Sequence, residues 1–188
     1  RHTRWMAWFV DALGRRGAAY QADLSNADAC AALVARVAEE FGRLDILVNM
    51  ASLYKSVPFD ELTPAGFDAV INVDLRAAFL CSRASVPHMR KQGGGNIINV
   101  TSVAARHGGG PGASLYAGSK GFISTMTRGL AKELVKDKIR VNAVAPGVIY
   151  TPFQERYSTP QMLEGFKASI PMNRIGKPDE CAGAFLYL

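Results

Sequence analysis

The chain has 188 residues, of which 48% are hydrophobic and 20% charged, with 18 glycines and 9 prolines. This is the composition of one ordinary globular domain, and it excludes intrinsic disorder, a collagen-like repeat and a coiled coil. The net charge of +6 occurs without zinc-finger spacing or an RNA-binding signature, so no nucleic-acid partner is expected.

Four short apolar runs, the last three of them containing β-branched residues, predict buried parallel strands. They are Ala18 to Ala22, Leu44 to Met50, Asn96 to Val100 and Ile139 to Ala145. After the first of them, Ser25 and Asp28 in capping-box spacing predict the start of a helix that ends at Gly42. Its apolar face is predicted to carry Leu33, Val34, Val37 and Phe41.

Two longer helices are predicted further along the chain. The first begins at Thr63 as N-cap, has Pro64 in its first turn, and runs to about Lys91. The glycines at 93, 94 and 95 end it. The second runs from about Ser114 to Lys136, with an apolar stripe at four-residue spacing that consists of Phe122, Met126, Leu130 and Leu134.

Strands that alternate with long helices predict an α/β fold, a doubly wound, Rossmann-like parallel sheet with helices on both faces. The sequence contains no internal repeat and no linker, so residues 1–188 are expected to form a single domain. In open sheets of this kind, ligands bind beyond the carboxyl ends of the strands. The residues that directly follow each predicted strand are therefore the first candidates for chemistry.

A serine, a tyrosine and a lysine meet this criterion. Ser102 follows the third predicted strand, while Tyr116 and Lys120, four residues apart, share one helix face. Tyrosine has an ordinary pKa of about 10, which a nearby ammonium lowers by favouring the phenolate. With the Ser102 hydroxyl holding a carbonyl or alcohol oxygen and Tyr116 transferring the proton, the three predict a site for carbonyl and alcohol interconversion.

The order of these residues resembles that of the classical short-chain dehydrogenase/reductases. The resemblance also rests on the runs Asn49-Met-Ala-Ser52 and Pro146-Gly147 to Thr151, and it extends along essentially the whole chain. It implies an oxidoreductase that transfers a hydride between NAD or NADP and a small-molecule carbonyl or alcohol substrate. Tyr116 would be the general acid/base, Lys120 would also bind the nicotinamide ribose, and Ser102 would position the substrate oxygen.

The resemblance further implies a set of cofactor contacts. Asp23 and Leu24 would lie beside the adenine, and Asn49, Ala51 and Ser52 along the adenosine side, with Thr101 at the end of the third strand. The remaining contacts, around the nicotinamide, would come from Tyr116, Lys120, Pro146, Gly147, Ile149 and Thr151.

Two positions depart from the family pattern. Ser52 stands where the family usually has glycine, which adds a side chain close to the cofactor and predicts an adjusted loop. Asp74 stands at the position of the family's catalytic asparagine, which helps hold a water in a proton relay to the lysine. The family residue acts partly through its backbone carbonyl, which Asp74 also has. We therefore expect retained activity with a changed pH profile.

Three other interpretations stay open. A hydrolase would use the run around Ser119 as a nucleophile elbow with His88 or His107 as base, but such an elbow follows a buried strand and Ser119 lies within a predicted helix. A cofactor-binding regulator would sense the nucleotide without turnover. A pteridine-reductase-like enzyme is suggested by the run from Asn49 to Tyr54, although those enzymes tend to carry Asp at the position of Ser102.

Substrate, cofactor preference and assembly are less constrained. The glycine-rich loop at 107–112 and a predicted substrate lid at 150–170 resemble 3-oxoacyl reductases or sugar and alcohol dehydrogenases. The lid residues Phe153, Tyr157, Met162, Leu163 and Phe166 predict either a partly apolar substrate or simple packing of the lid.

Arg1 or Arg4 is the candidate partner for the extra phosphate of NADP. The resemblance implies a homodimer or homotetramer, with Ala77, Ala78, Ala84 and Ala131 either allowing close helix approach or facing the sheet.

The expected glycine-rich phosphate-binding turn does not occur in this sequence. We therefore expect a domain that is incomplete at both ends, lacking the family's first two strands and its last strand, with unpaired strand edges. Three cysteines without CxxC spacing predict no metal site and fit a cytoplasmic protein. The apolar stretches are shorter than the ~18 residues of a membrane helix, so no membrane association is expected.

Overall fold

The computed structural model describes residues 10–54 and 56–188. Its strands are β1 (Ile46–Asn49), β2 (Gly95–Val100) and β3 (Ile139–Val144). Its α-helices are α1 (Ala27–Phe41), α2 (Pro64–Val70), α3 (Ala77–Lys91), α4 (Ala104–His107), α5 (Ser114–Leu134), α6 (Pro152–Tyr157), α7 (Pro160–Ser169) and α8 (Pro178–Tyr187). Two 3-10 turns, Phe59–Glu61 and Val135–Asp137, and one π-helical turn, Ile71–Arg76, complete the elements.

The three strands are parallel and lie in the order β1, β2, β3. Ile97 and Ile98 of the central strand point to opposite faces and are both at most 2% exposed. Both faces of the sheet are therefore covered at the central strand, as predicted for a Rossmann-like α/β fold. β1 pairs with β2 alone among the described residues, and its outward residues Ile46 and Val48 are 56% and 42% exposed.

The predicted strand at Ala18 to Ala22 is wrong, because this segment has no strand conformation. A strand needs a neighbour to accept its backbone hydrogen bonds, and the described part of the chain places none beside it. The segment lies against α1 instead. There the Tyr20 hydroxyl donates to the Glu40 carboxylate over 2.6 Å, and the Arg36 guanidinium lies 4.3 Å from the Tyr20 ring centroid.

The helix ends agree with the sequence patterns except at one cap. The side chain of Asn26, not Ser25, caps α1 by accepting from the Ala29 N–H over 3.0 Å. Ser25 lies one residue before this cap, and its hydroxyl and N–H both donate to Asp23. The predicted N-cap Thr63 accepts from the Gly66 N–H over 3.1 Å. Gly42 ends α1 with a φ of 76°, a left-handed conformation that favours glycine.

The apolar stripe predicted for α5 is partly out of phase with the structure. Ile123 and Leu134 are buried, whereas Phe122 is 45% exposed. The sheet sets the phase through Thr127, whose hydroxyl accepts from the side-chain amide of Asn99 in β2 over 2.9 Å. A strict four-residue spacing also drifts around a helix of 3.6 residues per turn. The N-terminal residue of the predicted stripe, Phe122, is therefore exposed, while its C-terminal residue, Leu134, is buried.

Residues 150–170, the predicted lid, contain helices α6 and α7. The segment is closed at its base, where the Tyr150 N–H donates to the Gly176 carbonyl over 2.8 Å and the Gly176 N–H donates to the Val148 carbonyl over 3.0 Å. A Cβ at position 176 would lie 2.6 Å from Cδ1 of Ile149, so a larger residue there would displace the end of the Ile149 side chain. A role of the segment as a lid stays a prediction.

Within residues 10–54 and 56–188, no helix has the length and apolarity required to cross a membrane. The same residues bring together no group of three or more His, Cys, Asp or Glu side chains suited to a metal ion. Cys30, Cys81 and Cys181 are free thiols, the first two buried.

Candidate active site

The loops that follow the three strands are joined by backbone hydrogen bonds into one surface. The Val103 N–H donates to the Pro146 carbonyl over 3.1 Å, which joins the loops after β2 and β3. The Val57 N–H donates to the carbonyl of Gly112 over 3.0 Å, which joins the loop after β1 to the glycine-rich loop before α5. Gly112 has a φ of 75°, and a Cβ there would lie 2.8 Å from the Ser56 hydroxyl. Glycine is thus required at this junction.

Ser102, Tyr116 and Lys120 lie together at this surface. Lys120 Nζ is 5.6 Å from the centroid of the Tyr116 ring. The Ser102 hydroxyl oxygen accepts from the Ala104 N–H over 3.1 Å, at the start of α4. Because a hydroxyl both accepts and donates, this bond orients Ser102 and leaves its hydrogen available for a second partner.

Both the side chain and the backbone of Lys120 are hydrogen-bonded to residues at the carboxyl end of β2. Its side chain is buried, with Nζ donating to the Val100 carbonyl over 3.2 Å. Its backbone carbonyl accepts from the Thr101 hydroxyl over 2.7 Å. The spacing that placed Tyr116 and Lys120 on one helix face therefore also aligns that face with the end of the central strand.

Asp74 lies behind Lys120 and is 2% exposed. It belongs to the π-helical turn, where the Ala77 N–H donates to the Asn72 carbonyl, one residue further back than in an α-helix. Asp74 Oδ1 accepts from the Leu53 N–H over 2.7 Å. Oδ2 accepts from the hydroxyls of Ser52 and Ser119 over 3.0 and 2.9 Å, and lies 4.0 Å from Lys120 Nζ. A buried carboxylate thus faces the buried ammonium.

These contacts decide the direction of two pKa shifts. Burial raises the pKa of Tyr116, hydrogen bonding to Ser102 lowers it, and the charges of Asp74 and Tyr54 raise it further, so that it lies above its ordinary value. Burial lowers the pKa of Lys120, and the Asp74 charge opposes this effect. The pKa of Tyr116 in this structure is thus raised overall, with burial as the largest cause. That Lys120 lowers this pKa stays a prediction.

The two departures from the family pattern lie in direct contact. The Ser52 hydroxyl donates to Asp74 and so is turned toward it. An adjusted loop at this position stays a prediction. The Asn49 side chain also points inward, because its amide donates to Asn99 and Ser82 over 2.8 and 3.0 Å. Only backbone atoms of Asn49 are thus left for the proposed cofactor contact.

The other predicted cofactor residues differ in accessibility. Asp23 is exposed, and its pKa lies below the ordinary value because Ser25 donates to it. Leu24 packs against the core. Thr101 is buried by its bond to Lys120. The remaining positions are half-buried or exposed at the sheet edge: Ala51, Pro146, Gly147, Ile149 and Thr151.

These residues fit a dinucleotide cofactor. A Cβ at Gly147 would meet no atom within 4 Å, so the surface beyond β3 is open. An ammonium has three N–H donors. Lys120 has the Val100 carbonyl at 3.2 Å and Asp74 at 4.0 Å, which leaves donor capacity for a ligand hydroxyl.

The hydrolase interpretation fails on the position of Ser119. This serine lies within α5 and is 2% exposed, with its hydroxyl donating to Asp74 and to the Tyr116 carbonyl. A nucleophile elbow would instead place its serine on a sharp turn between a strand and a helix, with the hydroxyl exposed. His107 is exposed and accepts from the Gly109 N–H over 3.2 Å in the same loop.

Sequence reasoning missed two contacts at this site. Ser119 is a partner of Asp74, although the two are 45 residues apart. The Tyr54 ring meets the Tyr116 ring edge-on, with centroids 5.1 Å apart and an interplanar angle of 79°. Little in the sequence indicated either contact. It showed Tyr54 in the run after β1, and in the same run Ser52, which shares the acceptor Asp74 with Ser119. Arg1 and Arg4, the candidate partners of the NADP phosphate, lie outside the described residues.

Comparison with known proteins agrees with this fold. The family described as enoyl-(acyl carrier protein) reductase matches residues 4–188. The fold and the family together define a class, the NAD(P)-dependent oxidoreductases. The chain belongs to the short-chain dehydrogenase/reductase family.

Individual relatives have several activities. The chain is 40% identical over 169 residues to 3-oxoacyl-(acyl-carrier-protein) reductase FabG of Thermotoga maritima, covering 90% of this chain and 68% of the relative. It is 39% identical over 158 residues to 3alpha-hydroxysteroid dehydrogenase of Mediterraneibacter gnavus, covering 84% and 62%. A crystal structure of a short-chain dehydrogenase from Burkholderia cenocepacia in complex with NADP matches with a TM-score of 0.89 and 34% identity, covering 98% of this chain and 74% of that one. The chain thus spans about two thirds of the length of these relatives.

Proposed function

We propose that this protein reduces a carbonyl compound, or oxidises the corresponding alcohol, with Tyr116 as general acid/base and NAD or NADP as cofactor. The observation that supports this most directly is the meeting of Ser102, Tyr116 and Lys120 at the carboxyl end of β2. All three lie where parallel sheets of this kind bind their ligands.

Each residue has a distinct part in the proposed reaction. Ser102, oriented by the Ala104 N–H, donates its hydroxyl hydrogen to the substrate oxygen. Tyr116 gives its phenolic proton to that oxygen in reduction and takes it back in oxidation. Lys120 lies beside the Tyr116 ring and stabilises the phenolate that forms. Asp74 touches Lys120 and the loop after β1, so we assign it a positioning role.

The cofactor, when bound, supplies or accepts the hydride. Backbone atoms of Asn49 and Ala51 and the open surface at Gly147 are suited to holding it, and Lys120 is suited to donating to a ribose hydroxyl. The choice between NAD and NADP and the particular substrate stay open, with 3-oxoacyl compounds, sugars or other alcohols and pteridines as candidates. The free thiols support our further proposal of a cytoplasmic location.

A turnover assay with full-length protein tests the proposed function. We expect consumption of NADH or NADPH, read from the absorbance of the reduced nicotinamide, with at least one member of a panel of ketones, aldehydes and 3-oxoacyl thioesters. A pure cofactor-binding regulator would bind the dinucleotide in calorimetry and turn over no member of the panel in either direction. That result would replace the enzyme proposal by the regulator.

Replacement of Asp74 by Asn is expected to move the pH profile of carbonyl reduction to lower pH. The Asp74 charge raises the pKa of Tyr116, so its removal lowers that pKa. Reduction needs protonated Tyr116 and declines as pH rises through this pKa; the decline therefore begins at lower pH in the variant. For alcohol oxidation, which needs the phenolate, the rise in rate likewise moves to lower pH.

The matched control for this pH experiment is Asp68→Asn, which removes one exposed carboxylate from α2. Its profile is expected to overlay that of the parent. If the Asp74→Asn profile also overlays the parent, the carboxylate has no electrostatic effect on Tyr116.

We also propose that the protein is a homodimer or homotetramer. Phe67 of α2, Phe79 of α3 and Phe122 of α5 are each 45% or 46% exposed, which is a large apolar area for helices that face water. Ala77 and Ala78 are buried in the chain's own core, so they do not form the helix contact considered from sequence. Sedimentation velocity is expected to give a mass of two or four chains, and a stable monomer at micromolar concentration would contradict the proposal.

A further inference from the structure

Three aromatic side chains beside Tyr116 have no part in the reaction proposed above. Tyr54, Phe153 and Tyr157, here called the aromatic wall, come from the loop after β1 and from α6. The Tyr54 centroid lies 5.1 Å from that of Phe153 and 5.4 Å from that of Tyr157. The same Tyr54 ring meets Tyr116 at 5.1 Å, so the wall is in contact with the proposed acid/base.

Polar contacts fix the loop that carries Tyr54 on both sides. On one side, the Leu53 N–H donates to Asp74 over 2.7 Å. On the other, the Val57 N–H donates to Gly112 over 3.0 Å. The Leu53 contact lies next to Tyr54 in the chain and holds its ring in place before any ligand binds, which reduces the ordering cost of binding.

The other two rings share one face of α6. Phe153 and Tyr157 are four residues apart, and their centroids lie 5.0 Å from each other. Within the same helix the buried Gln154 accepts from the Ser158 hydroxyl over 2.6 Å. Tyr54 thus lies beside a hydrogen-bonded backbone N–H, and Phe153 and Tyr157 lie on a helix.

The wall is not part of the protein core. Phe153 is 39% exposed, and Tyr54 and Tyr157 are half-buried. The carboxylate that acts on both Tyr116 and Lys120, by contrast, is the buried Asp74. Aromatic surface next to a proton-transfer group therefore faces the space that a bound substrate must use.

We infer that the aromatic wall selects carbonyl compounds and alcohols whose reacting carbon carries an aromatic ring, over linear compounds of equal carbon number. This inference rests on the proposed function, since the substrate oxygen must reach Tyr116 and Ser102. The substituent on the reacting carbon then lies against Tyr54 and Phe153. A flat ring gains edge-to-face contacts that a linear chain lacks, and each such ring pair favours binding by about two- to tenfold.

The test compares acetophenone with 2-octanone, which have the same number of carbons, in the full-length protein and in the double variant Tyr54→Leu/Phe153→Leu. Leucine keeps an apolar side chain at each position and removes the rings. We expect the parent to have a higher kcat/KM for acetophenone than for 2-octanone. In the double variant, the ratio of these two values is expected to be at least tenfold lower than in the parent. The kcat/KM for 2-octanone is expected to fall less than that for acetophenone, because a change that acts through Tyr116 affects both ketones equally and cancels in the ratio.

The matched control is Phe59→Leu, a ring removed from a position that is 79% exposed and belongs to the 3-10 turn Phe59–Glu61. It is expected to leave the ratio unchanged. An unchanged ratio in the double variant, an equal loss for both ketones, or a parent that favours 2-octanone would each overturn the inference. Absence of turnover with every carbonyl compound would instead overturn the proposed function. The two failures are distinct, because the inference fails on the relative rates of two ketones that are both turned over.

Discussion

Replacement of Tyr116 by Phe is expected to lower kcat by at least about a hundredfold while leaving the fold intact. The change removes only the hydroxyl, and proton transfer by a positioned side chain contributes about 10²- to 10⁴-fold to rate. Tyr54 still packs against the phenyl ring at position 116, because its contact is made by ring atoms. Stability is expected to change little. Steady-state kinetics and thermal unfolding measure the two effects separately.

The control for Tyr116→Phe is Tyr187→Phe, which removes a hydroxyl from a side chain that is 90% exposed on α8. Cofactor binding by the Tyr116→Phe variant, measured by calorimetry, is expected to stay within a few-fold of the parent. If this variant kept more than a tenth of the parent kcat, another group would have to transfer the proton, and Tyr116 would lose its proposed role.

The sequence was sufficient to locate Tyr116 and Lys120 because their relationship is local. Four residues of separation on a helix fix a common face, and a serine directly after a strand lies at the ligand-binding edge of the sheet. Helix starts were predictable for the same reason, since Thr63 caps a backbone N–H only three residues away. These features need no knowledge of which elements become neighbours.

The electrostatic environment of Asp74 was not predictable in this way. Its partners Ser52, Leu53 and Ser119 lie 21 to 45 residues away along the chain. The π-helical turn that directs Asp74 inward has no sequence signature comparable to a cap. The pKa of Tyr116 is therefore raised overall, first by burial and then by the Asp74 carboxylate, and neither cause could be predicted from the local spacing of Tyr116 and Lys120.

The strand predicted at Ala18 to Ala22 failed for a different physical reason. Apolar composition indicates a residue's fit to a pleated, half-buried surface, and it does not supply the neighbouring strand that the backbone needs. In the described residues, this segment instead meets α1 through Tyr20 and Glu40. Composition correctly predicted burial for β2 and β3, where neighbours exist on the sheet.

Replacement of Lys120 by Met is expected to lower both stability and activity. The Asp74 carboxylate would remain 2% exposed without its counter-charge, and breaking a buried ion pair from one side costs about 3 to 5 kcal/mol. The lower end of that range applies, because the Nζ to Oδ2 distance is 4.0 Å and three hydrogen bonds to Asp74 remain. Loss of the ammonium beside Tyr116 also removes stabilisation of the phenolate, and one pKa unit of such stabilisation corresponds to tenfold in rate.

The double variant Lys120→Met/Asp74→Asn separates these two effects. It removes both charges, and the serine hydroxyls at 52 and 119 keep an amide oxygen to which they can donate. Urea unfolding is therefore expected to show the double variant as more stable than Lys120→Met alone, while its kcat stays at least tenfold below the parent. Lys132→Met, an exposed position on the same helix, is the control for loss of a lysine from α5. Strict additivity of the two stability changes would mean that Asp74 and Lys120 do not interact, and recovery of activity in the double variant would mean that Lys120 acts only by neutralising Asp74.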